Sequence, residues 1–174
     1  MKNKTRKLVL AAIMAALVFV STYFVHIPIP GSESGYLNIG DIIVYLAAVI
    51  PGGWYGIFAS AVGSALADVV SGAVIYVPAT FVIKGLMTFV TSVFILKHKK
   101  TAGFIIGSVL SGLIMLSGYF VYELIVFGFS YAVISVPYNL IQYVFGVTVS
   151  IVLFVFLRRT PLSRFTSIDI KEKK

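Results

Sequence analysis

Six long apolar runs, each bounded by a short polar break, make up most of the chain and dictate the solvent in which it folds. A helix rises about 1.5 Å per residue, so roughly 20 apolar residues cross the hydrocarbon core of a bilayer. The runs lie at about 8–25, 39–50, 54–70, 76–96, 102–127 and 137–157. Lipid cannot hydrogen-bond a bare backbone, so each run is predicted to be helical. The expected fold is an all-α membrane protein, a bundle of six transmembrane helices forming one integral membrane domain over residues 1–174. Composition agrees, because only 11% of residues are charged where a soluble domain carries about 25%. No room remains for a water-soluble ATPase domain, and no G-x-x-x-x-G-K-[ST] loop occurs. The absence of cysteine excludes disulfides, thiolate metal sites and a cysteine nucleophile.

The net charge of +8 reports topology rather than nucleic-acid binding. Of 14 Lys and Arg residues, all but Lys84 fall in three breaks: before the first run, at Lys97 to Lys100, and after Leu157. Those breaks alternate along the chain, which the positive-inside rule reads as cytoplasmic, with both termini inside. No basic stripe interleaved with aromatics suggests a nucleic-acid partner. The basic start imitates a signal peptide, but the 18-residue run at 8–25 exceeds a signal core of about 7–15 residues, and its alanines lie inside the run. An uncleaved helix is expected. Between the first two runs, residues 26–35 carry two prolines and two glycines and read as an outer loop.

Depth can then be counted from the outer ends of the predicted helices. Lys84 lies about 9 Å inside Pro78, Glu123 about 6 Å before Phe127, and Asn139, Gln142 and Tyr143 about 3–9 Å inside Pro137. Asn139, Gln142 and Tyr143 share one helical face, as do Tyr119 and Glu123. Three helices thus place hydrogen-bonding groups in one outer layer. An intramembrane lysine costs about 2.5–3.5 kcal/mol on insertion scales, so Lys84 is expected to face a partner or a wet cavity. One reading is a solute pocket that holds Lys84, Glu123, Asn139, Gln142, Tyr119, Tyr122 and Tyr143. The other is an ion pair that only fixes packing, or a lysine that snorkels to the interface. Lys84 has two candidate partners, Glu123 and Asp68. Asp41 reads first as a first-turn residue behind the cap Asn38, and His26 as a wet loop residue. Asp68 sits near the C-terminal end of its helix, where the macrodipole disfavours an anion.

Small residues mark contact faces. Ala59-x-x-x-Gly63-x-x-x-Ala67 suits packing inside the bundle, whereas the paired strips Ala11/Ala15 and Ala12/Ala16 suit either packing or another subunit.

Taken together, these residues resemble the substrate-binding S component of energy-coupling factor (ECF) transporters, six-helix bacterial proteins of vitamin uptake. The likeness rests on Ala11, Ala12, Ala15 and Ala16, on Gly35-Tyr-Leu-Asn-Ile-Gly-Asp41, on Gly56 to Gly72 with Ala67-Asp68, and on Tyr76-x-Pro78-x-Thr80-Phe81-x-Ile83-Lys84-Gly85-Leu86. The resemblance implies a vitamin held near the outer face beneath the first loop, with Tyr36, Asn38 and Tyr76 beside it. It implies that the alanine strip meets a transmembrane coupling subunit driven by two ATPases, and that the S component topples to release its cargo. It further implies a bacterial plasma membrane, lipid and vitamin as partners, and no resident cofactor or metal.

One cation, one anion, two amides and several tyrosines suit a small, nearly neutral heteroaromatic molecule. A pyridoxine-like or hydroxymethylpyrimidine-like vitamin is the first expectation and riboflavin the second. A stand-alone carrier or channel is disfavoured because the polar residues do not line a path across the membrane. An intramembrane enzyme lacks any nucleophile motif.

Overall fold

The computed structural model describes residues 2–25, 27–29, 36–98, 100–161, 163 and 166. His26 and most of the predicted outer loop lie outside them, as do several basic residues at the C-terminal end. The described residues form six α-helices and one minimal hairpin: α1 (Lys2–Phe24), β1 (Ile27–Pro28), β2 (Tyr36–Leu37), α2 (Gly40–Ala47), α3 (Gly53–Val70), α4 (Val77–Lys97), α5 (Lys100–Val126) and α6 (Phe129–Arg159). A π-helical turn, Ala48–Gly52, follows α2, and a 3₁₀ turn, Val74–Tyr76, precedes α4. Among the described residues, five segments are long and apolar enough to cross a membrane: Lys4–Phe24, Gly40–Val70, Val74–Lys97, Thr101–Val126 and Phe129–Arg159.

The second predicted span is the main departure. At eight residues α2 reaches only about 12 Å, too short to cross alone. It continues through the π turn to Pro51, then reverses at Gly52 and Gly53, whose φ angles of 61° and 51° belong to the left-handed region that glycine adopts without a Cβ penalty. The reversal is tight. Thr88 on α4 donates to the Val44 carbonyl at 3.3 Å and to Ser60 Oγ at 2.7 Å, so residues from either side of the turn lie side by side. α2 is the innermost element, in contact with α1, α3, α4 and α6, and every residue of it except Ile43 is buried. A helix surrounded by other helices has no need of bilayer length.

Around it, α1 packs on α3, α3 on α4, α4 on α5 and α5 on α6. The Ala59/Gly63/Ala67 stripe is buried, and Gly63 sits against the Ala15 carbonyl, where a Cβ would come within 2.5 Å. With no hydrophobic drive between helices in lipid, such close approach and interhelical hydroxyls supply the cohesion. Thr91 and Ser111 join α4 to α5 at 2.9 Å, and Ser111 also reaches the Met87 carbonyl at 2.8 Å. At the end of the bundle where α5 begins and α6 ends, Phe104 and Phe154 stack with centroids 4.1 Å apart, both fully buried. The exposed large side chains, such as Leu8, Ile13, Trp54, Phe58, Ile125 and Phe156, form the outward apolar surface.

The sixth helix begins eight residues before the Pro137 expected to start it. Gly128, at φ 89°, ends α5 with its N–H on the Glu123 carbonyl at 3.1 Å and opens α6 directly. Pro137 then lies within α6, as membrane helices tolerate when neighbours satisfy the freed backbone. Asn139 and Gln142 therefore lie about 15 and 20 Å along their helix, deeper than a count from Pro137 gives.

Candidate functional site

At the end of the bundle where α3 and α5 stop and α4 and α6 start, side chains from α1, α3, α4, α5, α6, the 3₁₀ turn and the hairpin region line an open pocket. Its floor is an ion pair. Lys84 Nζ donates to Asp41 Oδ1, and both side chains are almost fully buried. The second Asp41 oxygen accepts from Gln142 Nε2 at 2.7 Å, and Gln142 Oε1 accepts the Asn38 backbone N–H at 2.9 Å. Asn38 Oδ1 in turn accepts the Gly40 N–H at 2.9 Å, which shapes the entry to α2. Lys84 thus neither pairs with Glu123 nor takes Asp68 as its partner. Asp41 stands in the first turn of a central helix, where the macrodipole favours an anion, and that helix carries it to the lysine. Lys84 also lies 5.4 Å from the centroid of the Tyr119 ring, within cation–π range.

One wall is aromatic. The Tyr119 hydroxyl meets Thr80 Oγ1 at 3.0 Å. Tyr76 OH donates to Glu123 Oε1 at 3.0 Å and meets Tyr131 OH at 3.1 Å, while its ring faces Tyr119, Tyr122 and Phe127 at 5.6–6.2 Å. Glu123 is buried beside Ser135, whose hydroxyl turns to the Tyr131 carbonyl at 3.3 Å.

The hairpin forms the opposite side. β1 and β2 pair antiparallel, Ile27 with Leu37 and Pro28 with Tyr36. Ile29 is buried in the cavity wall, and the Tyr36 hydroxyl donates to Asp68 Oδ1 on α3. Burial, then the neighbouring Asp68 carboxylate, pushes the Tyr36 phenol above its ordinary value, so it remains a donor at neutral pH. That bond also answers the misfit of an acid at a helix C-terminus.

Eight of the ten residues singled out in the sequence line this one cavity: Tyr36, Asn38, Tyr76, Lys84, Tyr119, Glu123, Asn139 and Gln142. Two do not. Tyr122 is half-buried and donates to the Ile75 carbonyl behind the wall. Tyr143 lays its ring against Gly112 of α5, in the space a Cβ would need. Asp68 and Thr80, named in the sequence for other reasons, together with Thr22, Ile29 and Ser64 complete the lining, and Asp41 reads in the sequence first as a helix-start residue. Small hydroxyls such as Thr22 and Ser64 are common in every membrane helix, so nothing in the sequence sets these two apart.

Outside the cavity, the alanine strip divides in two. Ala11 and Ala15 are half-buried toward α3, whereas Ala12 and Ala16 are exposed. Ala11, Ala12 and Ala15 border a shallow apolar groove with Leu8, Trp54 and Phe58.

Comparison with known proteins agrees with this architecture. A solved structure described as the S component of a bacterial ECF transporter shares the fold, with a TM-score of 0.75 at 20% identity, covering 88% of this chain and 96% of that one. The chain is 29% identical over 163 residues to the thiamine precursor transporter HmpT of Lactococcus lactis subsp. cremoris, covering 93% of this chain and 94% of that protein. It is 39% identical over 132 residues to an uncharacterized protein of Pyrococcus woesei, covering 76% of this chain and 88% of the relative. The family model for the S component of ECF-type riboflavin transporters matches residues 2–159, from the start of α1 to the last residue of α6. With six helices enclosing one polar cavity and a family match across all of them, the chain belongs to the S components of ECF-type transporters, a family of transport proteins and not of enzymes.

Proposed function

We propose that this chain captures a small heteroaromatic vitamin, pyridoxine-like or hydroxymethylpyrimidine-like, in the cavity above the Lys84–Asp41 pair. The observation that carries the reading is the convergence of buried charged, amide and hydroxyl side chains from five helices and the hairpin region on one end of the bundle. Burying a charge or an amide in a membrane protein is costly, and a packing bridge alone does not need Asn139, Tyr76, Tyr119 and Glu123 around it. Aromatic walls suit ring stacking, and amide, hydroxyl and charged groups suit the ring's polar edges. Similarity to a thiamine precursor transporter supports a single-ring heterocycle. The family's description favours riboflavin as the second reading.

In this reading the chain crosses the plasma membrane six times, α2 and α3 forming a folded-back pair, with both termini cytoplasmic. The basic residues at the starts of α1 and α5 and the end of α6 support that orientation. Energy comes from a transmembrane coupling subunit and two ATPases, docked on the exposed Ala12/Ala16 strip.

Native mass spectrometry of the chain purified in mild detergent tests the cargo directly. A retained mass matching a pyridine or pyrimidine vitamin is expected. Saturable riboflavin uptake, unaffected by pyridoxine or hydroxymethylpyrimidine, overturns the first reading in favour of the second.

A further inference from the structure

The cavity is unbalanced in charge. Among the described residues, its surroundings hold three carboxyl groups, Asp41, Asp68 and Glu123, against the single ammonium of Lys84. Two of the three have evident roles within the protein: Asp41 neutralises Lys84 and accepts from Gln142, and Asp68 anchors the hairpin through Tyr36. Glu123 differs. It is 1% exposed, its Oε1 accepts from Tyr76, and its Oε2 has no hydrogen-bond partner among the described residues. A buried carboxylate oxygen left without a donor is costly, and such a group in a native site calls for an explanation.

The nearest hydroxyls are those of Tyr76 and Ser135. Tyr76 gives its one hydroxyl proton to Oε1 and accepts from Tyr131, and the Ser135 hydroxyl, beside Glu123, lies 3.3 Å from the Tyr131 carbonyl. Gln142 is held in place by one bond at each end of its amide, to Asp41 and to the Asn38 N–H. What Oε2 lacks is a donor, and the open space beside it is the cavity.

We propose that Glu123 is a specificity-determining residue whose free carboxylate oxygen accepts an N–H from the ligand, so that the site selects an amino-substituted or protonated heteroaromatic ring over its oxo or carboxylate counterpart. The inference rests on the vitamin-binding reading and narrows it. An amine edge supplies a donor to that oxygen, whereas a carbonyl oxygen at the same point sets two acceptors against each other. Specificity of this kind comes from the penalty on the wrong partner as much as from the bond to the right one.

The test uses two probes that differ at one position, 4-amino-5-hydroxymethyl-2-methylpyrimidine and its 4-oxo analogue, titrated calorimetrically into the detergent-solubilised full chain. The wild type should prefer the amine by about 30-fold or more, in line with a hydrogen bond to a charged group. Glu123→Gln, whose amide offers either a donor or an acceptor, should reduce the preference to below about threefold. Asp68→Asn should leave the ratio in place even where both affinities fall. The proposal is overturned if the wild type binds both probes equally, if Glu123→Gln keeps the wild-type ratio, or if Asp68→Asn is the variant that abolishes it. Each of these outcomes leaves the pocket itself standing as a vitamin site. Failure of the wild type to bind either pyrimidine, pyridoxine or riboflavin overturns the pocket reading and this inference together. The wild-type ratio needs no variant to fold, so the proposal can fail on the native protein alone.

Discussion

Removing Lys84 should unfold this protein more readily than removing any exposed charge, and returning Asp41 to neutrality should restore it. Lys84 and Asp41 are 2% and 1% exposed, so Lys84→Met strands a carboxylate in the interior with only Gln142 Nε2 to satisfy it. Breaking a buried pair from one side costs about 3–5 kcal/mol. For a chain of this length that corresponds to a fall of about 10 °C in Tm. Asp41→Asn alone leaves a buried ammonium and should cost a similar amount, while it keeps an acceptor for Gln142. The double variant has no buried charge at the floor and should recover most of the loss, giving an interaction energy of about 3 kcal/mol. Thermal unfolding in detergent, read by tryptophan fluorescence or static light scattering, measures all four corners of the cycle. Exchanging Asp41→Asn for Glu123→Gln should give no comparable rescue, because the Glu123 hydrogen bond goes to Tyr76. Additive losses in the Lys84/Asp41 cycle, or rescue by Glu123→Gln instead, would refute the pairing and the central placement of α2 that creates it.

The backbone contact between α1 and α3 makes a sharper structural prediction. Gly63→Ala drives a Cβ to 2.5 Å from the Ala15 carbonyl and should cost about 1–3 kcal/mol, whereas Gly85→Ala meets only ordinary contacts at 3.5 and 3.7 Å and should be near neutral; equal Tm values for the two variants would contradict the described packing. Tyr36→Phe removes the donor to Asp68 and should speed amide exchange at 27, 29, 36 and 37 and raise the ligand off-rate about tenfold, as expected for a bond to a charged acceptor; unchanged exchange and an unchanged off-rate would show that the hairpin is held by other contacts. Replacing exposed Ala12 and Ala16 together by Leu should leave ligand affinity intact and abolish energised uptake in cells carrying the coupling module, and continued transport would mean that the strip faces only lipid.

Much of the site was legible because lipid makes polar residues conspicuous. Lys84, Glu123, Asn139 and Gln142 stand out against apolar neighbours, and each lines the cavity. Their pairing was not legible, because it depends on where α2 sits. A run of 39–50 reads as a span, yet its residues form a short helix whose burial comes from neighbouring helices, and that burial delivers Asp41 to Lys84. Tyr143 shares a helical face with Asn139, but Gly112 on the next helix opens a slot that takes its ring. Neither the slot nor the tyrosine shows this alone. Pro137 looks like a helix start by the ordinary preference for proline at the first turn, while the left-handed Gly128 nine residues earlier sets the real one. Asp68 near a helix C-terminus is electrostatically awkward in the sequence, and its remedy is Tyr36, 32 residues away along the chain on a strand too short to be read from pattern.

Beyond the ion pair the interior is filled by side chains: Met87, Met115 and Tyr45 are fully buried, and the stacked phenyl rings of Phe104 and Phe154 close the far end. The molecule is shaped as a thimble and not as a pipe. Whatever rests above Lys84 has no straight way through and leaves by the rim it entered. Passage along the bundle axis would require whole helices to part, a movement far larger than a side-chain gate performs.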